Sequence, residues 1–385
     1  MEVKAGPTSR VLALDSSRAL LMLLGLVIHA TAPYNPIDYW VVANPEKSGF
    51  LAVCHEWIHT FRMPGFFVLA GMLGAWALAR RGARGFLVRR LLRLALPLTV
   101  AALTLNPLQQ LLLKSYAADY CGIDRLTCAA RPAADTWIGH LWFLLYLILF
   151  TILLVACMPL LKAVVGALER RFAAASPGLR LAACGVAPFA AYACWRLALG
   201  FLSWAIHGIE GPWLNGAISF NHAANLLFFF MAGALLGSSE TARQALLAAR
   251  IRPVALGVTG LIATAVWWAT FNYVYTPTQT LAEKVTFAVL GGLPTVLLTL
   301  FALAACLWIH EMTRGRLAGL VDWAYSVYLF HHVAAVTAAL ALASVVLPVG
   351  LKFLIVLSFT AVASVSVAAL IRKSKWLRLL FNGSS

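Results

Sequence analysis

Charged residues are scarce in this chain of 385 residues: Asp, Glu, Lys and Arg make up 11%, and only 14 residues are acidic. A soluble domain carries about 25% charged and about 45–50% apolar residues. Here 62% of the residues are hydrophobic, and the mean hydropathy is +0.85. A soluble fold has too little interior to cover that much apolar surface. The composition therefore excludes a soluble protein and predicts an integral membrane protein.

Cysteine is used without a metal-binding pattern, since the seven cysteines form no Cys-x-x-Cys pair and no zinc-ribbon spacing. Five of them lie in or beside apolar runs and are interpreted as small hydrophobic residues: Cys54, Cys157, Cys184, Cys194 and Cys306. Cys121 and Cys128 share a polar loop instead. If that loop faces an oxidising compartment, a disulfide is expected, and two free thiols are the equal alternative.

Long apolar runs dominate the remainder of the sequence. A helix that crosses a membrane needs about 20 mostly apolar residues. The ten predicted spans are 18–37, 57–79, 88–112, 140–161, 181–203, 222–238, 253–271, 286–309, 324–342 and 350–371. The sequence thus predicts an all-α, polytopic membrane protein with one domain over residues 1–385 and short tails at about 1–14 and 372–385.

The basic residues alternate in density along these connections. Of the 30 Lys and Arg residues, 22 lie at every second set of span ends, beginning with the N-terminus. The positive-inside rule then places both termini in the cytoplasm, and a bacterial inner membrane is the expected location. The net charge of +16 is explained by this topology, so no nucleic-acid partner is expected. A cleaved signal peptide, suggested by Ala30-Thr31-Ala32, is the less favoured interpretation because Arg18 and His29 suit a retained span.

Ionisable residues in the first span are the first candidates for a functional site. Asp15 and Arg18 lie at its inner mouth, and His29 lies further along the same helix. The rise from Arg18 to His29 is about 17 Å, which places the imidazole near the middle of a hydrocarbon core about 30 Å thick. A neutral imidazole there can act as a general base toward a hydroxyl group. A histidine that only bonds a neighbouring helix is the alternative.

The second span opens with His55-Glu56-Trp-Ile-His59, followed by Arg62. His-Glu-x-x-His is also the signature of zinc metalloproteases, in which two histidines one turn apart bind the metal. Such a site needs a third protein ligand, and Asp322 is predicted on the wrong side of the membrane. An intramembrane metalloprotease is therefore a minor alternative, and no metal site is predicted.

Five short motifs occur in the order and on the helices found in a known family. They are Leu14-Asp15-Ser-Ser-Arg18 with His29, Ile58-His59-Thr-Phe-Arg62-Met63, Arg89-Arg90-Leu-Leu-Arg93 before Pro97, His140-Leu-Trp142-Phe-Leu144, and Tyr328-Leu-Phe-His331-His332. Together they resemble the membrane acyltransferases of family 3. Within that family they look like the branch that adds succinyl groups to osmoregulated periplasmic glucans.

The resemblance implies a role for each group of residues. His29 would deprotonate the acceptor hydroxyl or receive the acyl group, and Glu56 with His59 would orient it. The phosphates of a cytoplasmic acyl-CoA, succinyl-CoA or a similar donor, would be bound by Arg18, Arg89, Arg90 and Arg93. The remaining substrate contacts are assigned to Asp15, Arg62, His140, Trp142, His331 and His332. The acceptor would be a periplasmic glucan or other carbohydrate, lipid surrounds the chain, and no cofactor is permanently bound.

Two other functions fit parts of the pattern. Many acetyl-transferring relatives carry a Trp-Ser-Leu motif followed by an acidic residue. The corresponding segment here, Trp142–Leu147, contains no acidic residue. An O-acetyltransferase of another surface carbohydrate is therefore the second choice. A secondary transporter also uses polar residues at the midplane. Transporters commonly show inverted repeats and matched broken helices, and no internal repeat is found here.

Overall fold

The structure is a computed structural model, and it describes residues 7–36, 40–120, 137–206, 208–209, 213–214, 216–242, 244, 252–274 and 280–383. These residues form helices and connecting segments. In this part of the chain there is no β-strand, only an isolated bridge between Trp213 and Ile218. The predicted all-α class is confirmed.

Most of the helices are long enough to cross a membrane core. Those of eight or more residues in the described ranges are α1 (Pro7–Thr31), α2 (Gly49–Tyr120), α3 (Trp142–Ala174), α4 (Pro177–Ala205), α5 (Phe220–Ser238), α6 (Pro253–Val274), α7 (Leu281–Leu290), α8 (Leu293–Met312), α9 (Val321–Ala341), α10 (Val349–Lys373) and α11 (Lys375–Asn382). Short 3₁₀ helices follow α1 and precede α3 and α9. Eight stretches of the described helices are long and apolar enough to span a membrane.

Helix α2 accounts for two further predicted spans. Its 72 residues are interrupted at Gly82, which has φ 69° and ψ 169°, a conformation that glycine adopts at little cost. The chain reverses there, because a Cβ atom on Gly74 would lie 3.9 Å from the ring of Phe86, twelve positions along. The two arms of α2 coincide with the predicted spans 57–79 and 88–112.

Helix α1 lies inside the bundle, where it contacts α2, α8, α9 and α10. Its buried face includes Leu14, Leu21 and Ile28, each 2% exposed or less. A polar group on this part of α1 is surrounded by apolar side chains. Its hydrogen-bond partners must therefore come from the neighbouring helices. We call the end of the bundle that holds Arg18, Arg90 and the start of α9 the cationic end.

Glycine permits the closest helix contact in the bundle, between α2 and α5. A Cβ atom on Gly71 would lie 1.9 Å from the carbonyl oxygen of Phe230, and one on Gly233 would lie 1.9 Å from the carbonyl oxygen of Val68. Gly237, four positions after Gly233, approaches Met72 in the same way. Small residues spaced by four let two membrane helices touch backbone to backbone.

Replacing Gly233 with alanine is expected to force α2 and α5 apart and to lower the free energy of unfolding by about 3 kcal/mol or more. Gly257→Ala on α6 is the matched control, because no atom lies within 4 Å of its Cβ position. That control should be neutral or gain up to about 1 kcal/mol from helix propensity. Thermal unfolding of the detergent-solubilised variants measures both, and equal stabilities would contradict the packing argument.

Two predicted spans differ from the structure. The span 18–37 is helical only to Thr31, with a 3₁₀ turn to Tyr34, because Pro33 and Pro36 disfavour a continuing helix. The span 286–309 is broken at Gly291–Gly292 between α7 and α8. The predicted tails of about 1–14 and 372–385 include the start of α1 at Pro7 and the whole of α11. Cys121 and Cys128 lie outside the described residues, so their pairing stays a prediction.

Candidate active site

Four histidines from three parts of the chain meet beside α1. The ring of His29 lies 5.0 Å from that of His331 and 4.7 Å from that of His332, measured between centroids. His140, on the 3₁₀ turn before α3, stacks on His332 at 4.6 Å with an interplanar angle of 3°. We call these four residues the histidine cluster. Helix α9 contributes two of them because His331 and His332 lie midway along it.

Hydrogen bonds fix three of the four rings. The Nδ1 atom of His332 donates to the side-chain oxygen of Gln109 at 2.6 Å, and Nε2 of His140 donates to the carbonyl of Leu329 at 3.2 Å. His331 donates from Nδ1 to the carbonyl of Tyr328 at 2.5 Å. Carbonyl oxygens only accept, so each of these nitrogens carries the proton when its ring is neutral. The second ring nitrogen of each is then a lone-pair acceptor.

His29 differs from its neighbours in its exposure. Three members of the cluster have a buried ring nitrogen with no partner among the described residues, namely Nδ1 of His29, Nδ1 of His140 and Nε2 of His331. Buried polar atoms are nearly always paired, and exceptions concentrate where a ligand or chemical step uses them. His29 itself is half-buried, whereas His331 is fully enclosed. His29 is therefore the member of the cluster that a substrate hydroxyl can reach.

Arg62 projects from α2 onto α1 one turn below His29. A Cβ atom on Gly25 would lie 2.7 Å from a terminal nitrogen of Arg62 and 3.5 Å from Nε2 of His331. The glycine thus leaves the space that the guanidinium occupies. Arg62 is 7% exposed, and its Nε atom has no partner in the described part of the chain. A buried cation in this state can stabilise an anion formed or bound beside the cluster.

A non-helical segment at residues 40–48 covers the far side of the histidine cluster. Trp40 lies 6.1 Å from the ring of His29 and 5.4 Å from that of His332. The backbone of this segment bonds to the 3₁₀ turn after α1, from Asn44 to Pro33 at 3.1 Å. At its end Glu46 accepts a hydrogen bond from Lys352 of α10 at 2.6 Å. Lys352 is completely buried, so this ion pair fastens the cover to the bundle.

Glu46→Gln is expected to destabilise the protein more than Lys352→Met does. The first change leaves a buried ammonium group without a counter-ion, which costs about 3–5 kcal/mol, whereas the second replaces it with an apolar chain of similar length. The ammonium of Lys352 also holds the pKa of Glu46 below its ordinary 4.5. The stabilisation is therefore complete above about pH 4.5 and is lost as the pH falls through that lower pKa. Thermal unfolding from pH 7 to pH 3 tests this, and equal losses in both variants would contradict it.

A cavity of about 370 Å³ opens at the cationic end, below the histidine cluster. Its charged lining consists of Arg18, Arg90, Arg93, Arg372, Arg378, Asp15 and Asp322. Five arginines against two aspartates leave a positive field in a space that apolar side chains, including Met22 and Phe66, also line. A positively charged cavity with guanidinium donors is suited to phosphate groups.

The arginines of this cavity are only partly paired. Arg18 lies 3.5 Å from Asp15 and is 5.8 Å above the ring of Phe66. The Nε atom of Arg90 is buried and has no partner within the described residues. Arg93 shares the cavity, but Arg89 is exposed and is not among the lining residues. Of the four predicted donor-binding arginines, the structure therefore brings three together.

The other predicted residues lie outside these two groups. Glu56 accepts a hydrogen bond from Asn35 at 3.4 Å, and His59 stacks on His55 at 6.0 Å. Trp142 packs against His222 at 4.7 Å rather than among the clustered histidines. Their roles as orienting or substrate-binding residues stay predictions.

The side chains of the His-Glu-x-x-His motif contact other residues of the protein. His55 is bonded to Thr31 at 3.0 Å through Nδ1. In the described part of the chain, no group of three or more His, Cys, Asp or Glu side chains, the histidine cluster included, is arranged so that it could hold a metal ion. The expectation that no metal is needed stays a prediction.

Several contributors were not found from the sequence. Trp40 lies in a connection with no periodic pattern, so no sequence signal identified it as part of the site. Gln109 was missed although the sequence offered a signal: an amide within an apolar span requires a hydrogen-bond partner. Arg372 and Arg378 were interpreted only as topology signals, because a basic cluster after the last span suits the positive-inside rule.

Comparison with known proteins agrees with this architecture. A family model described as an acyltransferase domain matches residues 11–373. The chain therefore belongs to the membrane acyltransferases of family 3, as the five motifs indicated. No solved structure matches the chain.

Part of the chain is similar to curated proteins that share one name. The chain is 34% identical over 153 residues to glucans biosynthesis protein C of Escherichia coli K12, and 33% identical over 151 residues to the protein of that name from Escherichia coli O6:K15:H31. Each match covers 39% of this chain and 39% of the relative. The alignments thus span about two fifths of the curated relatives' length.

Proposed function

We propose that this acyltransferase moves a succinyl group from a cytoplasmic acyl-CoA to a hydroxyl group of a periplasmic glucan. The printed name of the curated relatives, glucans biosynthesis protein C, supports a carbohydrate acceptor. The cationic cavity supports a phosphate-bearing donor. An O-acetyltransferase of another surface carbohydrate is the second candidate, since both share the donor site.

The observation that carries this proposal is the arrangement of two sites on one helix. Arg18 lines the cationic cavity, and His29 lies in the histidine cluster about 17 Å further along α1. The pantetheine arm of a CoA thioester is long enough to cover that distance while its phosphates stay with the arginines. The reactive carbonyl then arrives beside His29 and Arg62.

A direct transfer fits the groups present. His29 takes the proton of the acceptor hydroxyl as its oxygen attacks the thioester carbonyl. Arg62 stabilises the negative charge that develops on the carbonyl oxygen. The carbon–sulfur bond then breaks, the thiolate of CoA leaves, and the proton held by His29 passes to that thiolate. The step requires neither an acyl-enzyme nor a metal.

The orientation follows from the same proposal. The cationic end faces the cytoplasm, where acyl-CoA is found, and the segment carrying Trp40 faces the periplasm of a bacterial inner membrane. Both termini would then be cytoplasmic. This agrees with the clustering of basic residues at the cationic end.

Expression in a strain that lacks its own glucan succinyltransferase tests the proposal. The periplasmic glucans should become anionic, which anion-exchange chromatography detects, and mass spectrometry should find succinyl groups. Neutral glucans carrying acetyl groups would favour the second candidate. Unmodified glucans from cells with the protein in their membranes would overturn the proposed acceptor.

A further inference from the structure

Helix α11 is fixed against the cationic end by contacts at its C-terminal end. Asn382 accepts a hydrogen bond from Ser326 of α9 at 2.7 Å, and Phe381 packs on Phe330 at 5.1 Å. Gly383 follows with φ 62°, and a Cβ atom there would lie 2.5 Å from Cα of Arg93. The end of α11 therefore touches the backbone of the helix arm that carries the donor-binding arginines.

The two faces of α11 have different environments. Arg378 and Asn382, one turn apart and so on one face, both line the cationic cavity. Trp376 and Leu380 share the other face, and they are 66% and 37% exposed. An apolar face with an aromatic residue suits the lipid interface. The helix thus presents one cation to the cavity and its apolar side to the membrane.

Among the described residues, no acidic side chain forms an ion pair with Arg378. The ion pair found at this cavity within the described residues joins Arg18 and Asp15. Arg372, which lies near the end of α10 and also lines the cavity, is 4.6 Å above the ring of Trp323. Arg378 has no comparable partner in the described residues. Its guanidinium is therefore free for an anion inside the cavity.

We propose that α11 forms one side of the acyl-donor site and that Arg378 binds a phosphate group of acyl-CoA. This inference rests on the proposed donor. The helix lies beyond residues 11–373, the part that the family model matches. Arg378 would bind the donor from α11 while Arg90 binds it from α2, so that the phosphate groups bridge the two helices.

Binding of CoA to the full-length protein in nanodiscs tests the proposal. Isothermal titration with CoA should show Arg378→Ala weakened by about 10- to 100-fold, the loss expected for a charge-assisted hydrogen bond. Arg378→Lys should recover part of the affinity, since the charge stays and the planar fork is lost. Lys375→Ala is the matched control: it removes one positive charge from the same helix at a residue outside the cavity lining and should bind as wild type does. In turnover assays Arg378→Ala should raise KM for acyl-CoA and leave kcat near wild type.

Arg90→Ala separates the two hypotheses. If Arg90→Ala loses CoA affinity and Arg378→Ala does not, the role of α11 is wrong and the donor site stands. If neither change affects binding, the proposed donor site itself fails. If Arg378→Ala and Lys375→Ala lower the affinity for CoA equally, the loss reflects only the net charge of α11, and the inference is wrong. The thermal midpoint of each variant shows whether it is folded, and Arg378→Gln repeats the measurement if alanine destabilises α11.

Discussion

Replacing His29 with alanine is expected to abolish acyl transfer to the glucan while the protein stays folded in the membrane. His29 is the half-buried member of the histidine cluster, and its Nδ1 atom has no partner in the described residues. Loss of a general base typically lowers the rate by about 10²–10⁴-fold. That loss is large enough to remove the anionic shift of glucans on ion-exchange chromatography. The measurement is the charge of glucans from cells that express equal amounts of wild type and variant.

Two controls make this result specific. His310→Ala changes a histidine of α8 that is outside the cluster, and it should leave the glucans anionic. His29→Gln keeps a polar side chain of similar size but offers no base, so it should be as inactive as alanine. If His29→Ala produces glucans as anionic as wild type, the catalytic assignment is wrong whatever the substrate. An acyl group trapped on His29 would instead replace direct transfer with a two-step reaction.

The sequence predicted the helices well because lipid imposes a length and a composition on each span. The arms of α2 show this, since the two apolar runs around Gly82 were recognised separately although the helix is nearly continuous. The first span was overextended because hydropathy does not register that Pro33 and Pro36 end a helix. The break at Gly291–Gly292 was missed for the same reason.

The candidate site was predicted in part. His29 and Arg18 were found because an ionisable residue inside an apolar run stands out. The motifs supplied His140, His331 and His332 as substrate contacts, but only the fold shows that they surround His29. Trp40 and the fastening of Glu46 to Lys352 depend on contacts between segments far apart in the sequence, and no local pattern encodes them.

The donor site leads to the other large effect, which is expected for Arg90→Ala. Arg90 lines the cationic cavity, and its Nε atom is buried without a partner in the described residues. Removing a charge-assisted hydrogen bond to phosphate should raise KM for acyl-CoA by about 10- to 100-fold. The proposed role of Arg90 is to bind the donor and not to take part in the chemical step, so excess donor should restore most of the rate, and the same is expected of Arg18→Ala.

Steady-state assays on purified protein with varied acyl-CoA separate this behaviour from that of His29→Ala, which no donor concentration should rescue. Arg90→Lys should recover only part of the affinity, because an ammonium keeps the charge but cannot bind phosphate through two parallel bonds. Arg84→Ala is the matched control, since it removes an exposed arginine from the same arm of α2, outside the cavity. A lowered kcat with unchanged KM in Arg90→Ala would place this arginine in the chemical step and contradict its role in holding the donor.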